Sequence, residues 1–262
     1  MFKKQFLCCF LMMIFLQKAA AQINIFKSFD GVQIAYTDEG IGAPVLLLHG
    51  FLNSRKSWDK TALKKDLIDA GYRVVIPDLR GNGDSDHPKN EEAYKNGAEV
   101  KDIMSLITHL NIENYKAVGY SRGSIVLAKL LTQDNRIEKA VLGGMGIDFT
   151  NPNWDRKIMF AKAFNGEVNE MTKEAVNYAK SINADLRSLY LQQKYQPVTT
   201  VKELNSVEIE VLVICGTEDV DNGNAKELKD SFIHGKLVKV PGGHNGTYKT
   251  TAFSNSVVQF LE

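Results

Sequence analysis

Val118-Gly119-Tyr120-Ser121-Arg122-Gly123-Ser124 is the stretch on which the reading of this chain turns. Its centre has the pattern G-x-S-x-G. Tyr115 to Val118 before it is short and strand-like, and Ile125 to Leu131 after it is apolar enough for a buried helix. A serine on the sharp turn between a strand and a helix forms a nucleophile elbow. So tight a turn needs small residues two before and two after the serine, which Gly119 and Gly123 supply. The serine hydroxyl then stands above the sheet. The N–H groups opening the next helix point toward any negative charge that develops beside it.

The flanking pattern extends the argument in both directions. Ile23 to Phe29 and Val32 to Thr37 read as a hairpin turning at Asp30-Gly31. Val45 to Leu48 is an unbroken apolar run, as suits a strand buried on both faces, and it ends in His49-Gly50-Phe51. Ser57 to Ala70 reads as a helix stopped by Gly71. Arg73 to Ile76 is a strand that opens into a glycine-rich loop, and Glu92 to Leu110 reads as one long helix. After the elbow come strands at Ala140 to Leu142, Val211 to Cys215 and Lys236 to Val240, with helices at Ala225 to Ile233 and Thr250 to Leu261. Between about Phe149 and Ser206 the alternation stops, and helical patterns run from Trp154 to Phe164, Thr172 to Ser181 and Ala184 to Gln193. These patterns predict an α/β fold with a mostly parallel sheet of about eight strands and helices on both faces. Residues 22–148 and 207–262 form its core, and 149–206 a helical cap at the ligand-binding end of the strands.

Taken together, the motifs resemble the α/β-hydrolase superfamily, in its capped, serine-esterase-like form. The resemblance rests on His49-Gly50-Phe51, the Ser121 elbow, Gly216-Thr217-Glu218-Asp219 and Gly242-Gly243-His244, each at the end of a strand, and covers about Phe26 to Phe260. It implies a triad in the family's order, with Ser121 as nucleophile, Asp219 as acid and His244 as base. It also implies an oxyanion hole made by the backbone N–H groups of Phe51 and Arg122. His87 is the rival base and Asp148 the rival acid. His49 and the loop of Asp78, Arg80, Gly81 and Gly83 take structural roles. Arg122 after the nucleophile resembles epoxide hydrolases and haloalkane dehalogenases of this fold, but those use an aspartate where this chain has Ser121. A serine would form a seryl ether with no carbonyl for water to attack, so Arg122 is expected to pair with a loop carboxylate instead. The expected activity is cleavage of a small or medium ester, thioester, lactone or amide through an acyl-enzyme. The alternatives are carbon–carbon bond hydrolysis or perhydrolysis with the same triad, and a binding protein without turnover.

Composition and charge set further bounds. A net charge of +1 over 262 residues, without a basic run, gives no reason to expect nucleic acid as a partner. No metal-ligand spacing and no complete phosphate loop occur, so no metal and no cofactor are expected. The partner expected is a small-molecule substrate, and oligomeric state is not readable. Lys3 and Lys4, an apolar run from Phe6 to Leu16 and Ala19-Ala20-Ala21 form a signal-peptide pattern over residues 1–21. The run is shorter than a membrane span, which needs about 20 apolar residues. Cleavage after Ala21 would export the protein to a periplasm or the medium without stable membrane insertion. It would also remove Cys8 and Cys9, leaving Cys215 with no partner for a disulfide.

Overall fold

The computed structural model describes residues 22–262, so the signal-peptide expectation lies outside the described residues. Among the described residues eight strands form one sheet: β1 (Asn24–Lys27), β2 (Gln33–Glu39), β3 (Pro44–Leu48), β4 (Arg73–Pro77), β5 (Tyr115–Tyr120), β6 (Ile137–Gly143), β7 (Glu210–Gly216) and β8 (His234–Val240). Their order across the sheet is β1-β2-β4-β3-β5-β6-β7-β8. β1 pairs antiparallel with β2, and β2 with β4; the other neighbours are parallel. The chain leaves β3 outward to β4, then returns to β5 on the other side of β3. Loops leaving β3 and β5 therefore diverge at one end of the sheet, where open α/β sheets bind ligands.

β3 is apolar at every position because both of its faces are covered. Leu46 and Leu48 of β3 face a core shared with helices α2 (Ala98–His109), α3 (Arg122–Leu130) and α8 (Ala225–Asp230). Val45 and Leu47 face the opposite core, with α1 (Ala62–Asp69) and α10 (Thr251–Leu261). This period-two division is what a doubly covered parallel strand requires. Between β6 and β7 lie α4 (Asp155–Phe164), α5 (Lys173–Ser181), α6 (Leu186–Lys194) and the short α7 (Val201–Leu204). They hold a small core of their own around Phe164, Val176 and Leu189, against which Phe51 and Leu52 pack from the loop after β3.

Two helices depart from the sequence expectation. The segment from Glu92 begins as a single 3₁₀ turn, Glu92–Tyr94, and the α-helix starts only at Ala98. Asn96 and Gly97 between them have φ of 56° and 69°, which an α-helix cannot accommodate. The segment read from Ser57 is likewise split. A 3₁₀ turn, Arg55–Lys60, ends at the extended residue Thr61, whose hydroxyl donates to Trp58 O (2.8 Å). Two short helices were not anticipated: α7, capped by the reciprocal Thr200–Glu203 box, and α9 (His244–Thr247). The last strand, expected from Lys236, begins two residues earlier at His234.

Buried ion pairs hold the loops after β4. Arg80 is fully buried; its Nε and Nη2 donate to the two oxygens of Asp102 (2.6 Å each), and Nη1 donates to Asp30 (2.8 Å). The Asp102 carboxylate also accepts from the Ser28 hydroxyl (2.5 Å). Three segments are thus joined around one guanidinium: the β1–β2 hairpin, the loop after β4 and α2. Breaking such a pair from one side leaves an uncompensated buried charge. Asp102→Asn should lower unfolding free energy by roughly 3–5 kcal/mol in urea denaturation, and a loss under 1 kcal/mol would mean that the network contributes little.

Candidate active site

The elbow forms as its glycines require. Ser121 has φ 53° and ψ −120°, a conformation that costs a non-glycine residue about 1–3 kcal/mol. The surrounding backbone compensates. Ser121 N–H donates to Gly143 O (2.8 Å), and Ser121 O accepts from Ser124 N–H (2.9 Å). The Ser124 hydroxyl lies 2.9 Å from Gly119 O and 2.8 Å from Gly143 O. A Cβ at Gly123 would stand 2.2 Å from Leu48 O, and one at Gly119 would stand 2.5 Å from Gly123 O. Close approach, rather than a left-handed backbone, is the reason for glycine at both positions.

The three residues expected to act together meet. The Ser121 hydroxyl donates to His244 Nε2 (2.9 Å), and His244 Nδ1–H donates to Asp219 Oδ2 (2.8 Å). The carboxylate can only accept, which fixes the tautomer and leaves Nε2 free to take a proton. Burial works against the Asp219 charge, but the hydrogen bond and the charge of His244 outweigh it, and the carboxyl titrates below its ordinary 3.8. Asn222 Nδ2 donates to the other oxygen, Oδ1 (2.8 Å). The loops carrying the acid and base are bonded to each other, Thr217 N–H to Val240 O (2.9 Å) and Glu218 N–H to Gly242 O (3.1 Å). Gly216 permits this contact, since a Cβ there would lie 2.0 Å from Gly242 O. Tyr120 braces the base from below by donating its hydroxyl to His244 O (2.6 Å).

The alternatives fall elsewhere. Asp148 and Glu218 are exposed, and among the described residues neither bonds to His244. His87 lines the neighbouring cavity of about 440 Å³ and makes no bond to Ser121 among the described residues. His49 is buried; its Nδ1–H donates to Gly50 O (2.8 Å), and Nε2 accepts from Leu79 N–H (3.1 Å). It ties the loop after β3 to the loop after β4. The contact of that first loop with the elbow is close, because a Cβ at Gly50 would lie 3.3 Å from Ser121 Cβ. Leu52 in the same loop has φ 59°. Among the described residues neither Phe51 N–H nor Arg122 N–H donates to a backbone carbonyl. The Phe51 ring turns toward the insertion, edge-on to Phe164 at 5.3 Å and to Phe160 at 6.2 Å.

Arg122 pairs with a helix carboxylate where a loop partner was expected. Nη1 and Nη2 donate to Glu99 Oε1 (2.7 Å) and Oε2 (2.5 Å) of α2, and Nη2 also reaches Gln192 O (3.2 Å) of α6. Its charge is thereby spent on structure. Sequence reasoning did not find Tyr120 or Asn222. Tyr120 occupies a variable position of the elbow pattern, and Asn222 sits in a loop without a pattern.

A cavity of about 560 Å³ opens over Ser121, between the loop after β3 and helices α4, α5 and α6. Against known proteins, residues 43–165 match the family described as alpha/beta hydrolase fold. An esterase from Exiguobacterium antarcticum superposes with a TM-score of 0.76 over 90% of this chain and 98% of the esterase, at 19% identity. This chain has the α/β-hydrolase fold. Among curated relatives of this chain, a protein named as a non-heme chloroperoxidase of Synechocystis sp. is 38% identical over 113 residues. An epoxide hydrolase of Siraitia grosvenorii is 37% identical over 97 residues. These matches cover 42% and 37% of this chain, and only 40% and 30% of the relatives' own lengths.

The buried His49 gives a measurable pH signature. Burial pushes its pKa below the ordinary 6.5, with the Asp78 charge offsetting only part of this. The unfolded chain therefore binds a proton that the folded chain refuses, and stability falls as pH drops below about 6.5. In His49→Gln the decline in unfolding free energy between about pH 6.5 and 5 should be shallower than in wild type, as read from urea midpoints; parallel curves would refute this assignment.

Proposed function

We propose that this α/β-hydrolase is a serine hydrolase that cleaves a small or medium ester, thioester, lactone or amide through an acyl-enzyme on Ser121. The observation that supports this reading most is the continuous run from Ser121 Oγ through His244 to Asp219, at 2.9 and 2.8 Å. Ser121 Oγ attacks the substrate carbonyl while His244 Nε2 takes its proton. The free N–H groups of Phe51 and Arg122 receive the oxyanion, a role in which one donor is worth about 10²–10³ in rate. His244 returns the proton to the leaving group as the carbon–heteroatom bond breaks. Water then attacks the seryl ester, its proton passing to His244, and the acid departs as Ser121 regains its hydrogen. Asp219 holds the imidazole in the tautomer that this exchange needs.

The epoxide hydrolase relative does not redirect this reading. Epoxide opening by Ser121 would end in an ether that water cannot release. The chloroperoxidase relative favours one second reading, perhydrolysis, in which hydrogen peroxide replaces water at the acyl-enzyme and a peracid leaves. Peracid formed from acetate and peroxide faster than from the Ser121→Ala protein would support it.

Fluorophosphonate labelling followed by intact-mass spectrometry tests the main reading. Wild type should gain one adduct that Ser121→Ala lacks and His244→Ala acquires slowly. Asp219→Asn should lower kcat for an activated ester by on the order of 10³–10⁴. Undiminished hydrolysis by Ser121→Ala would overturn the proposal. The proposal also includes export. The same spectrum from a secreting host should show a chain beginning at Gln22, and a retained N-terminus in exported material would contradict cleavage after Ala21.

A further inference from the structure

We propose that the substrate carries a carboxylate in addition to its scissile acyl group, and that Arg156, Lys157 and Gln196 receive it. This rests on the hydrolase reading of Ser121. The cavity over Ser121 is lined by four basic side chains, Arg122, Arg156, Lys157 and Lys249, against one carboxylate, Glu174. Arg122 is neutralised by Glu99 and takes no part. Among the described residues, Arg156, Lys157 and Lys249 form no ion pair.

The asymmetry is local. Three of the chain's 32 basic residues lie in residues 1–21, so 29 remain in the rest against 31 acidic ones. A neighbouring cavity shares Leu52, Tyr178 and Lys249 with the first, adds Lys56 and Lys60, and has no carboxylate in its lining. Lys56 is answered by Asp84 (3.2 Å); Lys60 is in no ion pair among the described residues. The approach and the cavity therefore form one positive concavity in a slightly acidic surface, which concentrates anions.

Three details make this a binding arrangement. Lys157 is half-buried, and its ammonium reaches only Pro152 O at 3.4 Å. Burial draws its pKa below the ordinary 10.5, the direction expected of a cation that lacks a counter-charge. The Arg156 guanidinium lies over the Phe160 ring at 5.1 Å, a stack that fixes its direction. It is near enough to favour the Asp219 charge, though no ion pair joins them. Gln196 is 5% exposed and lines the same cavity; among the described residues its Nε2 is a buried donor with no acceptor. Two unpaired cations and an unpaired amide donor around one space are satisfied together by a carboxylate.

Two matched substrate pairs test this on the mature protein. On the acyl side, mono-p-nitrophenyl glutarate is compared with p-nitrophenyl valerate. On the leaving-group side, para-acetoxybenzoate is compared with para-acetoxybenzamide. In wild type at low salt, kcat/KM for the charged member of at least one pair should be about tenfold the higher, and the advantage should shrink at about 0.5 M salt. Arg156→Gln with Lys157→Gln should remove most of that ratio, and Gln196→Leu part of it. Lys157→Gln alone supplies the test if the double variant does not fold. Turnover without a charge preference, or a preference that survives both lysine and arginine changes, overturns this inference and leaves the hydrolase reading standing. If no ester is cleaved and no fluorophosphonate adduct forms, the hydrolase reading fails. The carboxylate question then falls to calorimetric titration with p-nitrobenzoate: binding to wild type that is lost in Lys157→Gln supports it, and absence of binding overturns it.

Discussion

The carbonyl oxygen of Leu48 lies where any side chain at position 123 would have to stand, 2.2 Å from its Cβ. Much of the site follows from that contact. It brings the first turn of α3 onto the end of β3, so that the loop after β3 and the elbow after β5 share one small volume. The oxyanion site proposed for the N–H groups of Phe51 and Arg122 depends on that proximity. The strained dihedrals of Ser121 are the local consequence. They are sustained because its N–H and carbonyl are bonded to Gly143 and Ser124, and because the Ser124 hydroxyl spans the ends of β5 and β6.

The loops that converge on this point are held by buried polar groups. His49 fastens the loop after β3 to Leu79, and Arg80 fastens the loop after β4 to α2 and the hairpin. Arg55 extends the same idea, pairing with the fully buried Asp78 and with Asp84 across the glycine-rich loop. A Cβ at Gly83 would lie 2.3 Å from the Asp78 carboxylate, so the loop can close over that charge only with glycine there. Each of these groups would be costly to bury alone. Together they convert loops that would otherwise be mobile into a fixed frame around Ser121.

The sheet was legible because its signal is local. Val45 to Leu48 and Val211 to Cys215 are apolar at every position, and only strands covered on both faces need that. Ser121, Asp219 and His244 were found by chain order at strand ends, and the structure brings them within hydrogen-bond distance. What escaped was set by tertiary context. The break at Asn96-Gly97 was visible as a turn dipeptide, but the helical periodicity on both sides of it masked the signal. Asn222 and Tyr120 acquire their roles only when strands far apart in sequence become neighbours. The partner of Arg122 was misjudged for the same reason, since α2 lies against α3 only in the folded sheet.

Arg122 shows how the two parts of the molecule divide their work. In the proposed reaction its backbone N–H receives the oxyanion, while its side chain reaches Glu99 of α2 and Gln192 O of α6. The elbow is thus tied to the insertion through a residue whose charge is already neutralised. That leaves the electrostatics of the cavity to Arg156 and Lys157 of α4, to Glu174 and Lys249, and to the unpaired amide of Gln196. Strand ends, whose backbone is fixed by the sheet, supply the atoms that must be placed to a fraction of an ångström. The helices above them supply charge and shape, which can vary without disturbing the chemistry below. An α/β-hydrolase fold built this way can keep one reaction centre while its substrate is chosen by a few side chains on the first turn of α4 and just after α6.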